Sequence, residues 1–146
     1  MPVQAPDKET VTSLNRLLQG EYMAVESFNT FIARLQDERV KRTFQEIQKQ
    51  HRANIEKLAA YIQAIGGRPE ENLGMKGIMS DMKVNMDLGR EATTAEIIAK
   101  AIEGETQGVN MAEKVLRGRL DDRARDLAGE ILHQDRASID KLKSLL

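Results

Sequence analysis

The fold is decided by a stretch that the chain contains twice: Phe44-Gln-Glu-Ile-Gln-Lys-Gln-His-Arg-Ala-Asn-Ile-Glu-Lys-Leu58 and, 84 residues later, Ala128-Gly-Glu-Ile-Leu-His-Gln-Asp-Arg-Ala-Ser-Ile-Asp-Lys-Leu142. The two copies align without a gap, and 8 of their 15 positions are identical. In both copies apolar residues recur every three or four positions, which is the spacing of one face of an α-helix. The chain therefore contains the same amphipathic helix twice.

The repeat extends beyond this helix. When residues 17–62 are aligned with 101–146, 13 of 46 pairs are identical, whereas roughly three would be expected by chance. The identities include Gly20-Glu21 with Gly104-Glu105, and Asp37 with Asp121. The repeated unit is therefore a pair of helices, and the sequence predicts two helical hairpins.

Composition limits the class of protein. A chain of 146 residues with 40% hydrophobic and 31% charged residues is predicted to form one domain, spanning 1–146, around a single core. Cysteine is absent, which excludes disulfides, cysteine-bound zinc, iron–sulfur clusters and thiol nucleophiles. The net charge of −1 and the 3% aromatic content are unlike those of a nucleic-acid-binding protein.

Targeting signals are not recognisable in the sequence. The first eight residues contain no apolar core of a signal peptide, and no run of about 18 apolar residues occurs, so we expect neither secretion nor a membrane span. We therefore predict a cytoplasmic protein.

Capping residues predict where the helices begin and end. The first helix is expected to begin between Asp7 and Thr12 and to reach about Gln36, and Asp37 is a good N-cap for the second. Gly66-Gly67 should end hairpin 1, which spans about 10–65. A capping box, Thr93-Thr-Ala-Glu96, opens hairpin 2, which spans about 94–146 and has its second N-cap at Asp121. The predicted fold is an all-α four-helix bundle of two duplicated hairpins.

A long crossover, residues 66–93, joins the hairpins. It carries apolar residues near helical spacing, at Met75, Ile78, Met79, Met82 and Met86. These predict a short amphipathic helix that covers one side or end of the bundle. A methionine-rich surface for a partner or a lipid is the alternative.

One ionisable residue interrupts the apolar face of each predicted helix: Glu21, His51, Glu105 and Asp135. Glu21 lies 16 residues before Asp37 and His51 lies 14 after it, so an antiparallel hairpin places them within about 3 Å in height. The counts around Asp121 are the same. The four side chains are therefore predicted to form one buried layer, which requires ion pairing, shared protons or a bound metal.

The pattern resembles the ferritin-like superfamily, which includes bacterioferritin and rubrerythrin. The resemblance rests on the first-helix segment Gly20-Glu21-Tyr22-Met23-Ala24-Val25-Glu26 and on the paired hairpins. Further segments, Leu14-Asn15-Arg16-Leu17-Leu18, Gly66-Gly67-Arg68-Pro69-Glu70 and Arg136-Ala137-Ser138-Ile139, are similar to a group of small bacterial ferritin-like, stress-associated proteins. The resemblance implies a carboxylate-bridged di-iron site.

This sequence departs from the superfamily at that site. The second and fourth helices of such proteins supply Glu-x-x-His, in which the glutamate bridges two metals. With His51 and Asp135 at the histidine positions, the glutamate positions hold Gln48 and Leu132. Both bridging carboxylates are missing, and the nearby Glu46 and its counterpart point elsewhere around the helix.

Two interpretations of the layer remain. In one, Glu21, His51, Glu105 and Asp135 bind a single transition metal, Fe, Mn or Zn, because three carboxylates and an imidazole suit these ions. In the other, the layer binds no metal: His51 is protonated against Glu21 or Asp135, and the carboxylates share protons and hydrogen bonds with Gln48, Asn54 and Ser138.

The sequence thus favours a ferritin-like bundle protein, non-enzymatic or weakly metal-binding, over its alternative, an iron or manganese oxidoreductase of the ferritin or rubrerythrin type with a reduced metal site. The stress association is implied by the resemblance alone. Proteins of this fold commonly associate, so we also expect a homodimer.

Overall fold

The computed structural model describes residues 7–71, 88–89 and 91–146, and within these residues all regular structure is helical. Helix α1 spans Lys8–Arg34, α2 spans Glu38–Ala64, α3 spans Thr94–Leu116 and α4 spans Asp122–Lys143. The predicted four-helix bundle is confirmed. None of these helices is both long enough and apolar enough to cross a membrane.

Side-chain caps begin every one of these helices. The carboxylates of Asp7, Asp37 and Asp121 and the hydroxyl of Thr93 accept hydrogen bonds from backbone N–H groups of the first turn. A cap of this kind stabilises a helix by about 1 kcal/mol. Helix α1 ends at Arg34, two residues before the predicted end, because Leu35 is already extended with φ −82° and ψ 138°.

The helices pack as two antiparallel hairpins, α1 with α2 and α3 with α4. The hairpins meet chiefly through α1 and α3, and less through α2 and α4. Two polar contacts also connect α2 to the second hairpin: Tyr61 Oη donates to Asp121 Oδ2 at 2.7 Å, and Lys57 Nζ lies 2.8 Å from Glu130 Oε1. Burial and the hydrogen bond to Asp121 raise the pKa of Tyr61 to about 12.

The apolar core consists of two clusters, one towards each end of the bundle. One cluster is built around Phe28, Phe31 and Phe44. The other is built around Leu14, Leu18, Leu58 and further residues of the opposite end, Ile62, Ala112 and Ile131. Burying each large apolar side chain contributes about 1.5–3 kcal/mol to stability. In each helix, the ionisable residue lies in sequence between the residues of one cluster and those of the other.

The described ends of the crossover lie against α1. At its start, Asn15 Nδ2 donates to Arg68 O at 3.1 Å, and Asn15 Oδ1 accepts from Glu70 N at 2.8 Å. At its end, Leu88 is buried in the phenylalanine cluster and Arg34 donates to Gly89 O. The methionine-rich helix predicted between Met75 and Met86 lies outside the described residues.

Candidate metal centre

The imidazole of His51 lies between two glutamates that come from different helices. Its Nδ1 is 2.5 Å from Glu21 Oε2 on α1, and its Nε2 is 2.7 Å from Glu105 Oε1 on α3. All three side chains are buried, with His51 only 4% exposed. The histidine of α2 thus joins the first helices of both hairpins.

Asp135 on α4 completes the layer. Glu21, His51 and Asp135 each bring one ligand atom to within 4.8 Å of the others. Asp135 is 3% exposed, and the ring of Phe28 covers His51 from one side with its centroid 5.8 Å away. The structure therefore brings together all four residues that the repeat placed at one height.

The charges in this layer determine which groups carry protons. Burial lowers the pKa of His51, but the charges of Glu21 and Glu105 and the hydrogen bonds to them outweigh burial and hold it well above its ordinary value. Burial, with the same two charges, raises the pKa of Asp135 to about 9. At neutral pH the metal-free layer contains an imidazolium between two carboxylates and a protonated aspartic acid.

One buried oxygen of the layer has no partner among the described residues. Glu105 Oε2 is buried and accepts no hydrogen bond from any residue that the structure describes. A buried acceptor without a partner costs about 1–3 kcal/mol. This oxygen is therefore available to a ligand that is not part of the chain.

The metal-free interpretation named Glu21 or Asp135 as the partner of His51, and the structure pairs His51 with Glu21. The other ring nitrogen faces Glu105, which that interpretation did not name. Gln48 does not bond to the layer, because its Nε2 donates to Val25 O at 2.9 Å and to Asn29 Oδ1 at 2.8 Å. The amide of Gln48 is thus used to join α2 to α1.

A two-metal centre does not fit these residues. Gln48, at one bridging position, is occupied by its contacts with α1, and Leu132, at the other, packs in the apolar cluster near Leu18. The nearby Glu130 pairs with Lys57 at the surface, as expected for a residue that points away from the layer. A single ion fits better, because two ligands of one ion can lie about 4 Å apart and the three residues approach that separation.

A cavity of about 50 Å³ lies between α1 and α3 and adjoins the layer. Glu21, His51, Glu105 and Asp135 all line it, together with large apolar side chains such as Phe28 and Met111. Four small residues also line it, Gly20 and Ala24 on α1 and their repeat counterparts on α3, Gly104 and Gly108. Sequence analysis did not predict this cavity, although glycine kept at the same position of both helices was a signal for it, since glycine costs about 1 kcal/mol in a helix.

The position of Asp135 depends on Gly108. A Cβ added to Gly108 would lie 2.8 Å from Asp135 Oδ2, so the carboxyl group would have to move. Gly129 on α4 is the matched control, because a Cβ there meets no described atom within 4 Å. We expect Gly129→Ala to stabilise the protein by about 0.5–1 kcal/mol through helix propensity. Gly108→Ala should not gain this stability, because its Cβ clashes with Asp135. Urea unfolding at pH 7 measures the free energy of unfolding of each variant. An equal increase in Gly108→Ala and Gly129→Ala would contradict the close contact.

The chain is a four-helix-bundle protein with a buried layer of carboxylates and histidine. A family model described as Domain of unknown function (DUF2383) matches residues 9–118. The chain belongs to this family. A comparison with proteins of curated function finds no match.

Solved structures support the fold. Dps from Staphylococcus aureus is similar with a TM-score of 0.81 and 17% identity over 98% of both chains. A Dps protein from Vibrio cholerae O1, described as a member of the ferritin-like diiron-carboxylate superfamily, gives 0.79 and 14% over 99% of both. The dodecameric thioferritin of Bacteroides fragilis, a bacterioferritin-related protein, gives 0.79 and 16% over 96% of this chain and 86% of that one. At these identities the likeness concerns the fold alone.

Proposed function

We propose that this protein is a ferritin-like bundle that binds one divalent transition metal, Fe, Mn or Zn, in its core layer. The observation that carries the proposal is the convergence of Glu21, His51 and Asp135, whose ligand atoms lie within 4.8 Å of one another beside a buried Glu105 oxygen that has no partner among the described residues. Three carboxylates and an imidazole form a donor set that suits these ions.

The four residues have distinct roles in this proposal. Glu21, His51 and Asp135 hold the ion, and His51 uses one ring nitrogen for it. The other nitrogen keeps its hydrogen bond to Glu105, an arrangement that orients a metal-binding histidine and raises its basicity. Glu105 is therefore a positioning residue for His51 and not one of the three residues whose ligand atoms converge.

Charge balance favours the exchange of protons for an ion. The metal-free layer has one positive group, His51, which faces the charges of Glu21 and Glu105, while Asp135 keeps its proton. Binding a dication with loss of one proton each from His51 and Asp135 leaves the net charge of the layer unchanged. The low-polarity core therefore accepts the ion without burying additional charge.

The bound ion would supply a Lewis-acidic centre. Two-metal oxidation of the ferritin type is not part of the proposal, because Gln48 and Leu132 provide no bridging carboxylate. The iron or manganese oxidoreductase is for this reason the weaker candidate.

A metal-free structural layer is the second candidate, and one observation favours it. Both ring nitrogens of His51 are already paired with carboxylates, so the histidine is satisfied without an ion. In that case the layer would fix the register of the four helices. Self-association as a homodimer and a cytoplasmic location stay predictions from the sequence.

Thermal unfolding with added metal tests the proposal. Because His51 and Asp135 must each release a proton, we expect the affinity for Mn²⁺ or Zn²⁺ to rise as pH increases, by up to about a hundredfold per pH unit below the Asp135 pKa of about 9. The gain in Tm at a fixed metal concentration should rise accordingly from pH 6 to pH 8.

The second histidine of the chain provides the control for this test. His133 lies exposed on α4, so His133→Gln should keep the metal-dependent gain in Tm while His51→Gln abolishes it. If the ions leave the Tm of the unmodified protein unchanged at every pH, the layer is a metal-free structural element.

A further inference from the structure

We infer that the cleft between α1 and α3 is the path by which divalent cations enter the core layer, and that the amide oxygen of Gln107 is the first protein ligand on this path. The inference rests on the proposed metal binding and concerns how an ion reaches the site. The proposed ligands do not by themselves determine this path.

The cavity runs from half-exposed residues to fully buried ones. Gly20, Ala24, Gly104 and Gly108, along its walls, are partly exposed, whereas Glu105 at its inner end is only 3% exposed. Small side chains at repeat-related positions let the two helices enclose an opening that larger side chains would fill. The cavity therefore connects the surface with the carboxylates of the layer.

Along the bundle axis the layer is closed on both sides by apolar side chains. Phe28, Phe31 and Phe44 pack on one side, and Leu18, Leu58 and Ile131 on the other, all of them almost fully buried. A charged ion crossing either cluster would have no polar partner, which is costly. The α1–α3 cleft offers polar partners, in Ser27, Gln107 and Glu105.

The size of the cleft requires an ion to lose water as it enters. At about 50 Å³ the cavity has room for about four water molecules at about 10–15 Å³ each, fewer than the six that surround a hydrated divalent ion such as Mg²⁺ or Mn²⁺. An oxygen of the protein must then replace part of the hydration shell within the cleft.

Gln107 is placed to provide that oxygen. It lines the cavity on α3, and its Oε1 is buried without a hydrogen-bond partner in the part of the chain that the structure describes. Its counterpart in the first hairpin, Met23, also lines the cavity but offers no oxygen. Ser27 on the α1 wall carries a hydroxyl, so Gln107 supplies the buried acceptor without a described partner on the α3 wall.

The experiment measures how fast Co²⁺ enters the full-length protein, followed by its absorption in a stopped-flow instrument at pH 8, with Kd measured separately at equilibrium. We expect Gln107→Met to slow entry about tenfold while Kd changes by less than about threefold, because the oxygen lies on the path and not in the final site. Ala24→Leu, which fills the cleft from α1, should slow entry at least as much.

Gln134→Met is the matched control, since Gln134 on α4 also has a buried oxygen without a described partner but does not line the cavity. It should bind Co²⁺ at the unmodified rate. Entry at that rate in both Gln107→Met and Ala24→Leu would overturn the path while leaving metal binding intact. If the unmodified protein binds no Co²⁺ at equilibrium, the proposed function fails, and the path fails with it.

Discussion

Replacing His51 with leucine should destabilise the metal-free protein by about 3–5 kcal/mol at pH 7, because it removes the cation between two buried carboxylates. His51 Nδ1 and Nε2 lie 2.5 Å and 2.7 Å from Glu21 and Glu105, so both glutamates lose their partner at once. This is the largest loss of stability that we expect from a single substitution in the layer.

The loss should depend on pH. The elevated pKa of His51 means that its ion pairs contribute fully below about pH 6.5 and lose that contribution as pH rises through the folded value. The difference in stability between the unmodified protein and His51→Leu should therefore be larger at pH 5 than at pH 7.

Urea unfolding of metal-free protein at pH 5 and pH 7 measures both effects. His133→Leu is the control, because that histidine is exposed on α4, and its change should stay within about 0.5 kcal/mol. A His51→Leu protein as stable as the unmodified one at pH 7 would show that the ion pairs contribute nothing.

Asp135→Asn should have the opposite effect on the metal-free protein and stabilise it by about 1–3 kcal/mol at pH 7. The folded pKa of Asp135 is about 9, compared with an ordinary value of 3.8, so folding takes up a proton at this residue. Its unfavourable contribution therefore grows as pH rises from about 4 to about 9. An amide of the same shape has no charge to bury and removes that contribution.

The same substitution removes a proposed ligand. We expect Asp135→Asn to lose most of its affinity for Mn²⁺ or Zn²⁺ while gaining stability without metal, so the two measurements move in opposite directions. Asp140→Asn, at an exposed position of the same helix, should change neither. If Asp135→Asn instead destabilises the metal-free protein at pH 7, Asp135 is not the protonated acid described above.

The sequence predicted the architecture because its signals are local and repeated. The turn within each hairpin followed from Asp37 and Asp121, whose side chains can cap the first turn of a helix in any tertiary context. The height of the layer followed from counting residues to those same caps. The structure confirms these caps.

Contacts across the bundle were less predictable, because they depend on how helices rotate and cross. The buried face of a bundle helix is wider than one row of residues, and in α1 and α3 it includes Leu17, Phe31 and Ile97. The pairing of His51 Nε2 with Glu105 rather than Asp135 also depends on how the helices rotate and cross. Nothing local in the sequence identifies which neighbour a ring nitrogen faces.

Gln48 illustrates competition between partners. Its amide could have bonded to the layer one turn away, but it donates instead to Val25 O and Asn29 Oδ1 on α1.

The cavity beside the layer is lined by four small residues from two helices. In the sequence, only the repetition of these small residues indicated a cavity.

The most direct test of a single metal in the core layer uses protein produced in Mn- or Zn-supplemented medium. Elemental analysis measures its metal content, and anomalous scattering from its crystals locates the ion. The account predicts one ion per chain, bound by Glu21, His51 and Asp135 with Glu105 beside it, and none in His51→Gln protein. A layer that holds no ion, or two ions per chain, would contradict it.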